Sequence, residues 1–239
     1  MTTHIACLGD SLTRAQFSVD YLELLERRHP SGDVRLARFG ANGDFAYNLL
    51  QRLDAVVANP PDLITVLIGT NDARASLAGY PVEQAMKRKR LPERPSAGWF
   101  RQCLGAVVER LRAETDATIG LLSLPVLGQQ PDGAAARASQ AYSRMIAEVA
   151  TANEVVYLPL HERQIEELRQ ADVPPIPYRE VTAAAGLGVL VRHVVLRRSL
   201  DTISRRRGLL LTTDHIHQNS RGAALVAEVI DGGLLSGSG

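Results

Sequence analysis

The chain has 239 residues, enough to bury the core of one α/β domain and a tight fit for two. Its 27 Lys and Arg nearly balance 26 Asp and Glu, which excludes a global charge that would point to nucleic acid or an acidic surface as the main partner. No apolar run approaches the ~20 residues of a membrane span; the longest uncharged one, Val181 to Val191, is about half that length.

From Met1 the chain runs directly into HIACLG, without a basic and then apolar leader or a small-residue cleavage site, so we expect a cytoplasmic protein. Five apolar runs then carry a strand signal: HIACLG from His4, VRLARFG from Val34, LITVLIG from Leu63, TIGLLSL from Thr118 and EVVYLPL from Glu154. They are nearly continuous in Val, Ile and Leu, as strands buried on both faces should be. Segments of helical length lie between and after them, at about 15–29, 45–58, 97–114, 134–152 and 221–231. This alternation predicts one α/β domain over 1–239, a five-stranded doubly wound parallel sheet in a three-layer α/β/α arrangement. Cys7 and Cys103, far apart in sequence, read as free buried thiols, and the closing SGSG reads as a tail.

Two stretches break the alternation. Tyr80 to Gly98, rich in Pro and Arg, reads as an exposed loop, and its run Lys87-Arg88-Lys89-Arg90 as a solvated patch, with contact to an anionic substrate group as the sharper alternative. The other, about 161–211, reads as a helical insertion. Within it Leu187, Leu190, Val191, Val194 and Val195 share one helical face, while Arg192, His193, Arg197 and Arg198 fill the other. A helix so close to the C-terminal histidines is a candidate lid, with Leu190 and Val194 lining an acyl pocket. A peripheral scaffold helix, or an interfacial helix touching anionic lipid, would show the same pattern.

Four blocks carry residue types suited to chemistry. The first strand ends in Gly9-Asp10-Ser11-Leu12, where a serine at a strand-to-helix turn is placed either as a nucleophile or simply as a helix cap. Gly40-Ala41-Asn42-Gly43-Asp44 follows the second strand and Gly69-Thr70-Asn71-Asp72 the third. Glycine lets a backbone N–H approach a ligand and an Asn amide can donate to an oxyanion, although both residues are also common in turns. Near the C-terminus stands Asp214-His215-Ile216-His217, followed by Ser220 as a possible cap of the last helix. Asp214 and His217 have the spacing of an acid that orients a histidine. A metal site built on both histidines and Asp214 lacks further ligand signatures. In a doubly wound sheet the first three blocks all fall at the carboxyl edge, where one pocket can hold them.

In their order and their spread these blocks resemble the GDSL/SGNH hydrolase family. The resemblance implies a flavodoxin-like SGNH fold with Ser11, within GDSLT, as nucleophile, His217 as general base and Asp214 as the acid that orients it. It also implies an oxyanion hole formed by Ser11, Gly43 and Asn71, the last within GTND. Three features depart from the family pattern. His215 stands where Gly is common, Gln218 where Pro is common, and the stretch before Asp214 is longer than in compact members; Gly40 also competes with Gly43 as the oxyanion glycine. The implied activity is hydrolysis of a small-molecule carboxylic ester through an acyl-enzyme, with neither cofactor nor metal. An acyltransferase would carry the same blocks, and so would a non-catalytic ligand-binding module that kept them. The α/β-hydrolase elbow G-x-S-x-G, the dinucleotide pattern G-x-G-x-x-G and a Walker A loop are all missing.

Overall fold

The computed structural model describes residues 2–180 and 199–236. Each of the five apolar runs forms a strand: β1 (Thr3–Gly9), β2 (Val34–Gly40), β3 (Leu63–Leu67), β4 (Thr118–Leu122) and the short β5 (Val156–Leu158). They pair in the order β2-β1-β3-β4-β5, and every pairing is parallel. Because successive side chains point to opposite faces, β1 feeds two cores. Ala6 and Leu8 join Ile64, Val66 and Leu121 beneath the helices Ala46–Leu50, Ala97–Glu114 and Ala134–Ala152. Ile5 and Cys7 face the other way, with Leu67 and Leu122, towards the helices Tyr21–Arg28, Leu160–Gln170 and Ser220–Ile230. The expected three layers follow. Each fully buried leucine in them contributes about 1.5–3 kcal/mol.

Register aligns the carboxyl ends. Gly9 pairs with Gly40 on one side and with Leu67 on the other, so the turns leaving β1, β2 and β3 start level with one another. Cys7 and Cys103 are both free and buried. Among the described residues no helix is long and apolar enough to cross a membrane.

Several helices depart from expectation. The segment at 15–29 begins only at Tyr21, because the short helix Ser11–Arg14 ends in left-handed Ala15 (φ 60°) and Asp20 then caps a new helix through the Leu22 N–H. The segment at 45–58 divides into Ala46–Leu50 and Asp54–Val57, since the N–H groups of Arg52 and Val56 bond three residues back and tighten the turn between them. Tyr80–Gly98 is not all loop: Val82–Lys89 is a helix. Its Val82 and Ala85, three apart, are buried, its basic residues lie in the last turn where the helix dipole favours them, and the prolines lie outside it. The last helix is capped by Asn219, whose side chain accepts from the Arg221 and Gly222 N–H groups at 3.0 Å; Ser220 instead donates to Asp201. Of the expected insertion, the structure shows helices Leu160–Gln170 and Leu200–Arg206. The candidate lid positions Leu190 and Val194 lie outside the described residues.

Candidate active site

Ser11 is the first residue after the turn that ends β1, and its exposure is 9%. The capping is done by Asp10, whose carboxylate accepts the Leu12 N–H at 2.9 Å, so the serine hydroxyl has no part in it. His217 Nε2 stands 3.2 Å from Ser11 Oγ, and His217 Nδ1 lies 2.8 Å from Asp214 Oδ2. Because an ionised carboxylate only accepts, Nδ1 carries the proton and neutral His217 presents the bare Nε2 lone pair to the serine. The other Asp214 oxygen accepts the backbone N–H of His217 at 2.9 Å and of Ile216 at 3.2 Å. Burial works to raise the Asp214 pKa, but its interaction with the His217 imidazole and these bonds hold it below the usual carboxylate range.

The loop bearing the histidine is closed on itself and tied to its surroundings. Thr213 N–H donates to the His217 carbonyl at 2.7 Å, and the Phe17 ring lies 5.2 Å from the imidazole, tilted against it. Two of the departures from the family pattern, at His215 and Gln218, acquire a physical account here. His215 has φ 75°, a left-handed conformation that suits glycine. Gln218 replaces the rigidity of proline by bonding: its N–H donates to Ser18 Oγ at 3.0 Å, its amide donates to the Ile216 carbonyl at 2.9 Å, and its Oε1 accepts from Gln164 at 2.8 Å. His215 packs edge-on to Tyr178 with ring centres 5.9 Å apart, and burial lowers its pKa. Among the described residues no three His, Cys, Asp or Glu side chains are grouped as metal ligands.

Gly40 and Gly43 differ in kind. A Cβ on Gly40 would lie 2.3 Å from the Arg14 nitrogen, so this glycine is required by the packing of β2 against the chain after Ser11. Gly43 has φ 72° and sits in the turn closed by Asp44 N–H donating to the Ala41 carbonyl at 3.2 Å. The adjacent Asp44 carbonyl accepts from Asn71 Nδ2 at 3.0 Å. The same Nδ2 lies 3.4 Å from Asp10 Oδ2, a long and weak bond. Asn71 therefore stands between the neighbour of Ser11 and the neighbour of Gly43. The structure brings the four sequence blocks to one edge of the sheet.

The profile of the GDSL-like lipase/acylhydrolase family matches residues 7–225, which takes in all four blocks. The chain belongs to this family. No curated protein matches the chain. Among solved structures it is similar to Axe2, an acetylxylan esterase from Geobacillus stearothermophilus, at TM-score 0.68 and 16% identity over 96% of this chain and 92% of that one. Another similar structure is LAE5, an α/β hydrolase enzyme from the metagenome of Lake Arreo, Spain, at TM-score 0.66 and 16% identity, covering 96% and 94% of the two chains. Three further Axe2 structures are of catalytic mutants in which a serine, an aspartate, or a histidine three positions after that aspartate is replaced by alanine.

Around this GDSL-family site stand charged residues that motif spacing did not single out. Asp44 pairs with Lys89 at 2.7 Å and with Arg52 at 2.8 Å; Arg52 also reaches the carbonyls of Gly9 and Phe39, each at 2.8 Å, and so clamps the ends of β1 and β2 together. Thus Lys89, from the run read as a solvated patch, is engaged in the fold. Burial pushes the Asp10 carboxyl up to about 6 and that of Asp72 up to about 7. Asp72 accepts the Ala46 N–H at 3.2 Å. Arg74 bonds to Asn71. Its three-residue spacing from Asn71 was the signal available in the sequence.

Proposed function

We propose that this hydrolase cleaves carboxylic esters of small molecules through an acyl-enzyme formed on Ser11. The observation that carries this reading is the relay from Ser11 Oγ through His217 to Asp214, at 3.2 and 2.8 Å, with Asn71 beside it. Ser11 attacks the ester carbonyl while His217 Nε2 takes its proton, and Asp214 stabilises the imidazolium that results. The tetrahedral oxyanion is met by the backbone N–H groups of Ser11 and Gly43 and by Asn71. One N–H of Asn71 is engaged by Asp44; the other, only loosely held by Asp10, is the one free to turn to the oxyanion. His217 then protonates the leaving alcohol, and water repeats the sequence to release the acid. The catalytic serine, aspartate and histidine of the similar Axe2 support this assignment, as does their matching aspartate-histidine spacing.

Release of p-nitrophenol from p-nitrophenyl acetate tests it. Wild type is expected to turn over and Ser11→Ala to fall to the buffer rate with its fold intact; a Ser11→Ala protein that still turned over would overturn the assignment. A series of esters from two to sixteen carbons then tests whether Leu190 and Val194 line the acyl pocket. Leu190→Ser or Val194→Ser should change chain-length preference while acetyl esters are still cleaved, and equal losses at two and eight carbons would leave this segment as scaffold.

A further inference from the structure

The short helix Thr70–Ala75 carries Arg74 three residues after Asn71, so the two side chains share a face. Arg74 Nη1 donates to Asn71 Oδ1 at 2.9 Å. The guanidinium is mostly buried, at 13% exposure, and is paired with Glu180, itself at 12%. The second Glu180 oxygen accepts the Tyr178 hydroxyl at 2.6 Å, and the Tyr178 ring stands against His215. The Tyr80 ring lies 5.1 Å from the guanidinium carbon and completes the enclosure. Burying an arginine is costly unless it is paired, and Glu180 supplies the pair.

An asparagine amide has two orientations of nearly equal shape. One turns N–H towards an oxyanion, and the other turns the acceptor Oδ1 there and repels it. Arginine has donors only, so a bond from Arg74 can be made only to Oδ1. That bond fixes Oδ1 on the Arg74 side and leaves Nδ2 facing Asp44 and Asp10, next to Ser11. We propose that Arg74 is a positioning residue for the reaction, locking the Asn71 amide with its donor forward, and that Glu180 and Tyr178 hold Arg74 in place from the segment just before residue 181. This rests on the assignment of Asn71 to the oxyanion hole.

The test is a double-mutant cycle on kcat and KM with p-nitrophenyl acetate, using Arg74→Met, Asn71→Ala and the combination. Because Arg74→Met leaves Glu180 buried without its cation, Arg74→Met combined with Glu180→Gln is also measured with and without Asn71→Ala, which removes both charges together and keeps the fold testable. Arg74→Met is expected to lower kcat roughly 10-fold with a smaller change in KM, and to cost almost nothing further once Asn71 is alanine. Arg74→Lys should restore part of the loss, since an ammonium can reach Oδ1 but cannot also fork to Glu180. Equal losses with and without Asn71, or unchanged kcat in Arg74→Met, would overturn the proposal while leaving the oxyanion assignment standing. Unchanged kcat in Asn71→Ala would overturn that assignment, and the proposal with it.

Discussion

His217 is set apart from His215 by bonding rather than by sequence distance. His217 bonds to both Ser11 and Asp214, whereas His215 packs on Tyr178 and its Nδ1 is buried with no partner among the described residues. His217→Ala should therefore abolish ester cleavage, and His215→Gly, which suits a φ of 75°, should leave kcat within a few-fold of wild type. Loss of turnover in the His215 variant alone would contradict this. Asn71→Ala should lower kcat by ~10²–10³ with a smaller change in KM, as expected for one oxyanion donor; a raised KM at normal kcat would mark Asn71 as a ground-state binding group. Ser11, Asn71, Asp214 and His217 were legible because each sits in a short block whose order matches a known family. Asp10, Asp44 and Arg74 were not, since a buried carboxylate reads like a surface charge and the three-residue spacing of Arg74 from Asn71 does not by itself tell a bond to the amide from a solvated side chain.

At the level of elements, the two glycines after β1 and β2 should separate stability from activity. Gly40→Ala forces a Cβ to within 2.3 Å of the Arg14 backbone, which cannot swing aside, so a loss of ~1–3 kcal/mol and a lowered Tm are expected. In Gly43→Ala the new Cβ meets the flexible end of Lys89 at 3.1 Å, and the left-handed φ adds strain of about 1–2 kcal/mol. Alanine keeps the backbone N–H, so Gly43→Ala should lose kcat only as far as the strained turn shifts that N–H away from the oxyanion, and kcat and Tm measured on both glycine variants check the separation. Strands were legible from composition because β1, β3 and β4 are buried on both faces and leave little room for polar residues. The helix Val82–Lys89 was not, because only Val82 and Ala85 are buried and three basic residues mask so short a stripe. Asn219 and Ser220 are both good caps, and only the turn geometry after Gln218 decides between them.

For the whole molecule, the level carboxyl ends of β1, β2 and β3 make the site, and the topology was readable from the alternation of strands and helices. What could not be read was the cost of placing carboxyls beneath that edge. Asp72 has a pKa of 3.8 as an ordinary side chain and about 7 in the fold, because burial disfavours its charge. Between those values the unfolded chain has released a proton that the folded chain still holds. Stability contributed by protonated Asp72 is thus full below pH ~4, falls as pH rises through the window and levels off above pH ~7. Asp72→Asn keeps an acceptor for the Ala46 N–H and removes this dependence. Urea midpoints should show the variant gaining on wild type from pH 4.5 to 7.5 by up to ~1.4 kcal/mol per pH unit; parallel profiles would contradict the raised carboxyl. The central claim, that Ser11 is activated by His217 for covalent catalysis, is tested most directly by a fluorophosphonate probe and peptide mass spectrometry of the adduct. The expected result is a single phosphonyl adduct on Ser11, lost in Ser11→Ala and strongly slowed in His217→Ala. An active enzyme that stays unlabelled, or carries its adduct on another residue, would contradict it.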